Sequence, residues 1–354
     1  MTVRTQADVT DAGRADSQPR AQVWVGGEDF ELRDFERPQL AEGESLVRLT
    51  TATVCGSDRH TVSGRRSGAC PSVLGHEGVG IVEETRSDLP VGTRVVFAVT
   101  SVCGGCRNCE RGLSAKCTSV AKVGHESAES AWPLSGTYAS HIHLPAGVAM
   151  VPVPDHLPDA VAATAGCAVA TVMAMLESAG ELDGRRVFVN GIGMLGLTAV
   201  AAAKARGAEA VMAFDPSPTR ARRALTAGAD SLVGADETAR DVDVALELSG
   251  SEVGVRACLD SLGIGGTVVL AGSVSPGPDI EISPERIVRG WHSITGVHNY
   301  EPHHLQEAVD FLATAGGTLP WEEILGGPIS LADLPREFVE PSAGLRTVVE
   351  IGPR

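Results

Sequence analysis

The segment from Cys55 to Glu77 carries two thiols, two imidazoles and several oxygen-bearing side chains, which are the groups that bind zinc and move protons. Cys55 and His76 are zinc ligand types, and Glu77 directly follows the histidine. A catalytic zinc has three protein ligands and one open position for water or substrate. Cys55 and His76 are expected to supply two of these ligands, so the third must come from elsewhere in the chain.

A second group of thiols follows in a short glycine-containing segment. Four thiolates at this spacing close around one tetrahedral metal ion and leave no open position, which predicts a structural zinc. An iron–sulfur cluster and reduced surface thiols are the alternatives. The four residues are Cys103, Cys106, Cys109 and Cys117. Two of the remaining cysteines, Cys70 and Cys258, are expected to be buried packing residues.

A glycine motif follows a strand-like run, Arg186–Asn190, and opens an apolar helix. Gly191, Gly193 and Gly196 have the GxGxxG spacing of a dinucleotide-binding turn, in which a pyrophosphate approaches the backbone at a helix N-terminus. Asp215 ends the second strand, where a carboxylate accepts hydrogen bonds from ribose hydroxyls and repels a 2′-phosphate. The motif therefore favours NAD over NADP, and the alternative is a tight turn in another α/β domain.

The elements that must position these groups form two patterns. Short β-like runs predict a β-rich, partly barrel-like domain, and they are Gln22–Val25, Ser45–Thr53, Gly78–Val82 and Arg94–Ala98. After an alanine-rich helical segment around residues 159–180, which contains Cys167, strands alternate with helices, which predicts a parallel sheet covered on both faces. These strands are Arg186–Asn190, Ala210–Phe214, Val242–Leu248, Thr267–Ala271 and Ser293–Val297, and a strand-like run, Leu345–Ile351, ends the pattern.

The sequence thus predicts an α/β protein with an inserted nucleotide-binding domain. The expected divisions are a disordered tail over residues 1–20, a β-rich domain over 21–168 and 298–354, and a doubly wound parallel sheet over 169–297. The net charge of −16 disfavours nucleic acid and anionic membrane as partners. The longest uncharged runs are too short to span a bilayer and the N-terminus lacks a signal-peptide pattern, so a soluble, cytoplasmic protein is expected.

These features, in this order, resemble the zinc-dependent medium-chain alcohol dehydrogenases over nearly the whole chain. The resemblance implies a GroES-like zinc catalytic domain with an inserted Rossmann domain, one catalytic and one structural Zn²⁺ per chain, and a homo-oligomer, either a dimer or a tetramer. The implied activity is hydride transfer between a small alcohol and NAD(H), with zinc as Lewis acid and aldehyde or ketone reduction as the reverse reaction.

The resemblance also implies roles for single residues. Cys167 becomes the third zinc ligand, which completes the Cys₂His set established for alcohol dehydrogenases, and Glu77 becomes a transient ligand. Asp58 orients the zinc-bound imidazole, and Ser57 passes the substrate proton through the ribose to His60. Packing on the nicotinamide is implied for Thr171, and pairing with the cofactor pyrophosphate for Arg346.

One departure from the family concerns the substrate. Arg65 and Arg66 lie in a segment that helps to line the substrate cleft in the family, usually with apolar residues. Arginine suits phosphate, phosphonate or carboxylate. Residues 64–67, 132–136 and 296–300 also resemble the phosphonate-associated alcohol dehydrogenases, which suggests a small phosphonate alcohol and its aldehyde as the substrate pair.

Three alternatives remain open at this point. Both arginines could face solvent or bind the cofactor phosphates instead of the substrate. The enzyme could be a polyol or secondary-alcohol dehydrogenase for neutral substrates. A non-catalytic zinc and NAD(H)-binding redox-sensing protein could use the same scaffold, although a sensor would not need the intact set of ligands and relay residues.

Overall fold

The computed structural model describes residues 18–353. The tail predicted over residues 1–20 therefore lies outside the described residues except at its end, where Arg20 already begins a strand and pairs with Asp34 at 2.6 Å. Among the described residues, no single helix is long and apolar enough to cross a membrane. Two shorter helical pieces, Asp159–Gly166 and Ala168–Ala179, reach that length only together across a 50° bend, and most of their side chains are buried.

The N-terminal part of the chain builds a small sheet and a larger curled sheet. The small sheet contains Arg20–Gly26 (β1), Asp29–Asp34 (β2) and Ser72–Val73 (β4), in the order β2-β1-β4. The larger sheet contains Ser45–Val54 (β3), Gly78–Thr85 (β5), Arg94–Ser101 (β6), Ala121–Lys122 (β7), His141–Leu144 (β8), Val148–Pro152 (β9), Leu325–Ser330 (β16) and Arg346–Glu350 (β17). Its order is β16-β17-β3-β5-β6-β7, with β8 on β3 and β9 on β6. The end of the chain thus returns to the N-terminal sheet.

A separate six-stranded parallel sheet carries the glycine motif. Its strands are Arg186–Asn190 (β10), Ala210–Phe214 (β11), Ser231–Leu232 (β12), Val242–Glu247 (β13), Leu262–Leu270 (β14) and Ser293–Gly296 (β15). The order is β12-β11-β10-β13-β14-β15, the arrangement of a doubly wound dinucleotide-binding sheet. The strand order reverses between β10 and β13, and ligands of such sheets bind in the crevice at that point.

Helices cover this sheet and connect the two parts of the chain. Those beside the parallel strands are Met194–Ala205 (α5), Pro218–Thr226 (α6), Glu252–Ser261 (α7) and Pro284–Gly290 (α8). The others are Gly56–Val62 (α1), Arg107–Glu110 (α2), Asp159–Ala162 (α3), Ala168–Ala179 (α4), Pro302–Ala313 (α9), Trp321–Ile324 (α10) and Leu334–Val339 (α11). One buried apolar cluster runs from the curled sheet through α4 to β10 and α5, so the nucleotide-binding sheet packs on a shared core.

The fold class predicted from the sequence is confirmed: a β-rich part and a parallel α/β part occur in the expected order. The domain boundaries stay a prediction. Two details differ from expectation. The alanine-rich segment is broken at Cys167, whose φ of −132° and ψ of −81° are not helical. Cys258 is buried as expected, but Cys70 is exposed, because it follows a surface loop rather than a core helix.

Candidate functional site

The structure brings together the three side chains expected to hold a catalytic zinc. Cys55 lies between β3 and α1, His76 lies just before β5, and Cys167 lies at the break before α4. Their ligand atoms all lie within 4.8 Å of one another. Three segments that are distant in the sequence therefore converge on one point.

This donor set fits zinc. The ligand atoms of one tetrahedral zinc lie about 3.5–3.8 Å apart, so only a small contraction around the ion is needed. The pKa of the Cys55 thiol lies well below its ordinary value, because Cys167 donates a hydrogen bond and the positive charges of Arg346 and His76 are close. One of the two thiols is therefore held as a thiolate, and a bound cation favours the second deprotonation.

Asp58 fixes the His76 ring. Its Oδ1 lies 3.2 Å from Nδ1 of His76, which has no other partner among the described residues. Its Oδ2 accepts hydrogen bonds from the Cys55 amide and the Tyr138 hydroxyl, both at 2.9 Å. Burial lowers the pKa of His76, but Asp58 and Cys55 raise it well above the ordinary value. A proton held on Nδ1 leaves Nε2 to bind a metal ion.

The two residues of the predicted proton relay lie on α1 in different surroundings. The Ser57 hydroxyl lies 3.2 Å from Nε2 of His76, the nitrogen that faces the thiols. His60 lies one turn further along and is exposed. The structure therefore brings Ser57, but not His60, to the site. Transfer between them needs a bridging hydroxyl, such as the ribose of the predicted relay, and this step stays a prediction.

Glu77 and Arg346 form a buried ion pair behind the site. Arg346 donates to Glu77 through Nε at 2.7 Å and Nη2 at 3.0 Å, and the Thr53 hydroxyl donates to Glu77 at 2.5 Å. Burial raises the pKa of Glu77, and the guanidinium opposes this shift. Two desolvated charges are stable only when paired, which explains why these two side chains lie together. Glu77 lies outside the cluster of ligand atoms, and Arg346 also donates to the Leu345 carbonyl at 3.0 Å. Transient zinc binding by Glu77 and pairing of Arg346 with a pyrophosphate stay predictions.

The four-cysteine segment folds into a compact lobe around its sulfur atoms. The Cys106 sulfur lies 3.5 Å from that of Cys109 and 3.9 Å from that of Cys117, and Cys117 lies 3.5 Å from Cys103. Tetrahedral zinc requires sulfur–sulfur distances of about 3.8 Å. The backbone N–H groups of Cys109 and Thr118 point at Cys106 and lower its pKa to about 5. The lobe therefore has the geometry and the donors that a structural zinc needs.

The glycine motif leaves room for a nucleotide at the start of α5. A Cβ on Gly191 would meet the Ser249 backbone at 2.6 Å, and one on Gly196 would meet the Gly191 carbonyl at 2.0 Å. A Cβ on Gly193 would meet no protein atom within 4 Å. Two of the glycines are thus required by the protein's own packing, and the third borders open space where a phosphate can approach.

Asp215 lies in the same cleft, which has a volume of about 490 Å³ and includes Gly191, Gly193 and Arg220 in its lining. Its carboxylate accepts hydrogen bonds from the amides of Ile192 at 2.9 Å and Ser217 at 2.8 Å, and it lies 3.3 Å from Arg220. It therefore holds the glycine turn in place and presents a negative charge at the end of β11, where an adenosine ribose is expected.

Two hydroxyl groups near Cys167 complete the site. The Thr171 hydroxyl donates to the Cys167 carbonyl at 2.8 Å, and its expected packing on the nicotinamide stays a prediction. The Tyr300 hydroxyl donates to the Gly166 carbonyl and accepts from the Val99 amide at 3.1 Å. Sequence analysis missed Tyr300 and Tyr138 as site residues. Both are buried tyrosines that act through contacts with distant segments, for which no local pattern exists.

The two arginines expected to bind the substrate differ in their surroundings. Arg65 is exposed, whereas Arg66 is half-buried and its amide donates to the His60 carbonyl at 3.0 Å. The ring of His125 lies 5.7 Å from that of His76. Burial and the positive charges of His76 and Arg66 lower the pKa of His125 to about 4. Arg66 is therefore the partly buried member of the pair, and its charge acts on a histidine whose ring lies beside that of His76.

Two family models match the chain. The model described as alcohol dehydrogenase GroES-like domain matches residues 41–155, and the model described as zinc-binding dehydrogenase matches residues 194–314. An L-threonine 3-dehydrogenase of Rhizobium rhizogenes is 30% identical over 306 residues, with 80% of this chain and 82% of that protein covered. An alcohol dehydrogenase of Geobacillus stearothermophilus is 30% identical over 299 residues, with 80% and 85% covered.

Solved structures show the same fold over almost the whole chain. An alcohol dehydrogenase of Thermotoga maritima has a TM-score of 0.86 at 24% identity, with 95% of this chain and all of that chain covered. A zinc-binding dehydrogenase of Sinorhizobium meliloti, bound to NADP, has a TM-score of 0.83 at 25% identity and the same coverage. With the converging ligands and the glycine motif, these matches show that the chain belongs to the zinc-dependent medium-chain alcohol dehydrogenase family, whose members are oxidoreductases that use zinc and a nicotinamide cofactor.

Proposed function

We propose that this protein interconverts a small alcohol bearing an anionic group, such as a phosphonate, and the corresponding aldehyde, with NAD(H) as the redox partner. The observation that carries the proposal is that Arg66, unlike Arg65, is half-buried, and that its positive charge acts on His125, whose ring lies 5.7 Å from that of His76. Among the described residues Arg66 forms no ion pair with a carboxylate, so its charge is available to a ligand. A guanidinium there suits an oxyanion.

The chain's own residues account for positioning and for proton transfer. Cys55, His76 and Cys167 would hold the zinc, and Asp58 keeps the imidazole in one tautomer. When bound, zinc polarises the substrate oxygen and the nicotinamide accepts the hydride with both electrons of the broken C–H bond. Ser57 lies where it can accept the hydroxyl proton, which leaves through the relay toward the exposed His60. The alcohol is thus oxidised to an aldehyde, NAD⁺ is reduced, and one proton is released.

The cofactor specificity follows from Asp215 and can be tested by its replacement. In Asp215→Ser, NADH binding is expected to weaken by about tenfold or more, because a charge-assisted contact to the ribose is lost. NADPH binding should strengthen, because the repulsion disappears and Arg220 loses its partner at 3.3 Å. Fluorescence titration with NADH and NADPH measures both affinities. The double variant Asp215→Ser/Arg220→Gln should lose the part of the NADPH gain that Arg220 supplies, and a gain as large as that of the single variant would contradict this role of Arg220.

Variants of two neighbouring arginines test whether the substrate carries an anionic group. Arg66→Ala should lower kcat/KM for phosphonoacetaldehyde relative to propanal by about tenfold to a hundredfold, since a hydrogen bond to a charged group contributes about 1.5–3 kcal/mol. Arg65→Ala is the matched control, because Arg65 is exposed, and it should change this ratio little. Initial rates of NADH oxidation by the zinc-loaded protein measure both effects.

Other results of these rate measurements would distinguish the alternative functions. Equal losses for both aldehydes in Arg66→Ala would contradict the anionic substrate. Comparable wild-type rates for both aldehydes would favour a polyol or secondary-alcohol dehydrogenase for neutral substrates. Intact zinc content and NADH binding without turnover of any alcohol or aldehyde would favour a redox-sensing protein. The threonine dehydrogenase relative bears on the same question, because its named substrate carries a carboxylate.

A further inference from the structure

Basic side chains from three separate segments, three cations and one histidine, gather near His125. We call Arg66, Lys116, Lys122 and His298 the cationic cluster. The whole chain has a net charge of −16 and contains only three lysines, so it is notable that two of these lysines lie in this one place. The cluster includes one residue that the sequence had suggested for the substrate, Arg66, and three that it had not.

One direct contact joins two members of the cluster, and the positive charges of Arg66, Lys116 and Lys122 act on the other members. The Lys116 ammonium forms a hydrogen bond with Nδ1 of His298. Lys122 lies on the edge strand β7, paired with Thr100 of β6. Burial and the positive charges of Arg66 and Lys116 lower the pKa of Lys122. Burial and the charges of Lys116, Lys122 and Arg66 lower the pKa of His298 to about 4, so this imidazole is neutral near pH 7 and can accept the Lys116 hydrogen bond.

The cluster has no acidic counter-ion among the described residues. No carboxylate forms an ion pair with Arg66, Lys116 or Lys122 there, whereas the third lysine, Lys204, pairs with Asp230 at 3.1 Å. The carboxylate of Glu126 accepts a hydrogen bond from the backbone amide of Lys122 at 2.9 Å instead. In the same way Glu301 accepts from the amide of Ala115 at 3.2 Å. Like charges gathered without a partner destabilise the protein, and a bound anion would relieve this repulsion.

The arrangement favours a particular kind of anion. A planar carboxylate with one negative charge can be bound by a single guanidinium, which donates two parallel hydrogen bonds to it. Three cationic side chains on two segments are better matched by three oxygen atoms pointing in different directions, with a second negative charge. Because the ring of His125 lies 5.7 Å from that of His76, such an anion would border the catalytic residues.

We propose that the cationic cluster is the subsite for a tetrahedral oxyanion with two negative charges, a phosphonate or a phosphate monoester group, at the end of the substrate opposite the reacting hydroxyl. This inference rests on the proposed function and specifies the substrate group and the residues that bind it. Lys122 and Arg66 contact the oxyanion, and Lys116, held by His298, closes its outer side. Since Lys116 immediately precedes Cys117, the four-cysteine lobe positions part of the substrate site.

Direct binding tests the subsite without relying on turnover. Methylphosphonate is titrated by calorimetry into zinc-loaded protein saturated with NAD⁺, so that the cofactor phosphates occupy their own site. Lys122→Gln should raise the dissociation constant by about tenfold or more. Lys204→Gln is the matched control and should leave it unchanged, because Lys204 pairs with Asp230 on another surface. Acetate should bind the wild-type protein at least about tenfold more weakly than methylphosphonate.

The outcomes separate this inference from the proposed function. An unchanged dissociation constant in Lys122→Gln, or equal binding of acetate and methylphosphonate, overturns the subsite. If the wild-type protein still prefers phosphonoacetaldehyde to propanal in that case, the anionic substrate stands without this subsite. Lys122-dependent binding of methylphosphonate in a protein that reduces only propanal supports the subsite and contradicts the proposed substrate. Rates with phosphonoacetaldehyde and glycolaldehyde phosphate, compared side by side, tell which of the two oxyanions the subsite serves.

Discussion

Replacement of Cys167 by alanine is expected to lower the zinc content from two ions to one per chain and kcat/KM by about a thousandfold or more. The Cys167 sulfur is one of three ligand atoms within 4.8 Å of one another, and two protein ligands rarely hold a catalytic zinc. Polarisation of the substrate oxygen by the metal contributes several kcal/mol to the lowering of the barrier, and each 1.36 kcal/mol is about a factor of ten in rate. Elemental analysis and steady-state kinetics on the same sample measure both quantities.

Cys258→Ala is the control for this experiment. Cys258 is a fully buried thiol that lies on α7 among apolar residues of the parallel sheet, away from the zinc ligands. Its removal should leave both zinc ions and the activity in place, with a loss of about 1 kcal/mol in the free energy of unfolding from the small cavity. Two zinc ions per chain and nearly full activity in Cys167→Ala would show that another residue completes the catalytic site.

The parallel sheet could be predicted because most of its strands are recognisable from short stretches of sequence. β10 and β11 have the bounds predicted for them, since both are short apolar runs ended by glycine or aspartate. β14 differs, because it begins at Leu262 instead of Thr267. The glycines between these two residues have low strand propensity, and the pairing with β13 is irregular across them. Leu262 nevertheless pairs with Val242, so the strand begins there.

The zinc ligands of the catalytic site were predicted from the sequence, but the residues that hold those ligands in place were not. The local pattern around Cys167 indicated a continuous helix, whereas the structure breaks the helix there, and the Tyr300 hydroxyl bonds the preceding carbonyl of Gly166. That contact spans 134 residues of sequence. Tyr138 reaches Asp58 across 80 residues in the same way. Long-range hydrogen bonds of this kind depend on the relative positions of the two sheets, which hydrophobic periodicity does not specify.

The cationic cluster could not be predicted for a related reason. A lysine in a polar segment ordinarily faces solvent, and nothing local distinguishes Lys116 or Lys122 from Lys204. The hydrogen bond between Lys116 and His298 spans 182 residues, and it depends on the four-cysteine lobe lying against the loop after β15. The charge of each residue in the cluster was thus known from the sequence, but their proximity could be recognised only in the structure.

The buried pair of Arg346 and Glu77 leads to the second large prediction. Arg346→Met should destabilise the protein by about 3–5 kcal/mol, because it leaves a fully buried carboxylate without its cation. Methionine has a similar length, so lost packing contributes little. Urea unfolding of the zinc-loaded protein, followed by near-ultraviolet circular dichroism, measures the loss. The double variant Arg346→Met/Glu77→Gln should recover part of it, since no buried charge then remains.

The pH dependence of this loss identifies its cause. Burial already raises the pKa of Glu77, and the opposing effect of Arg346 is absent in the variant, so the folded-state pKa rises further above the ordinary value of 4.5. Below that value Glu77 is protonated in both states and no charge is buried. As the pH rises, the unfolded state ionises first, and stability falls by up to about 1.36 kcal/mol per pH unit until the folded-state pKa is reached. Arg346→Met should therefore lose stability relative to the wild type between about pH 5 and pH 8, and the double variant should not. A loss that is the same at every pH would mean that Arg346 stabilises the fold through its packing and not through the charge of Glu77.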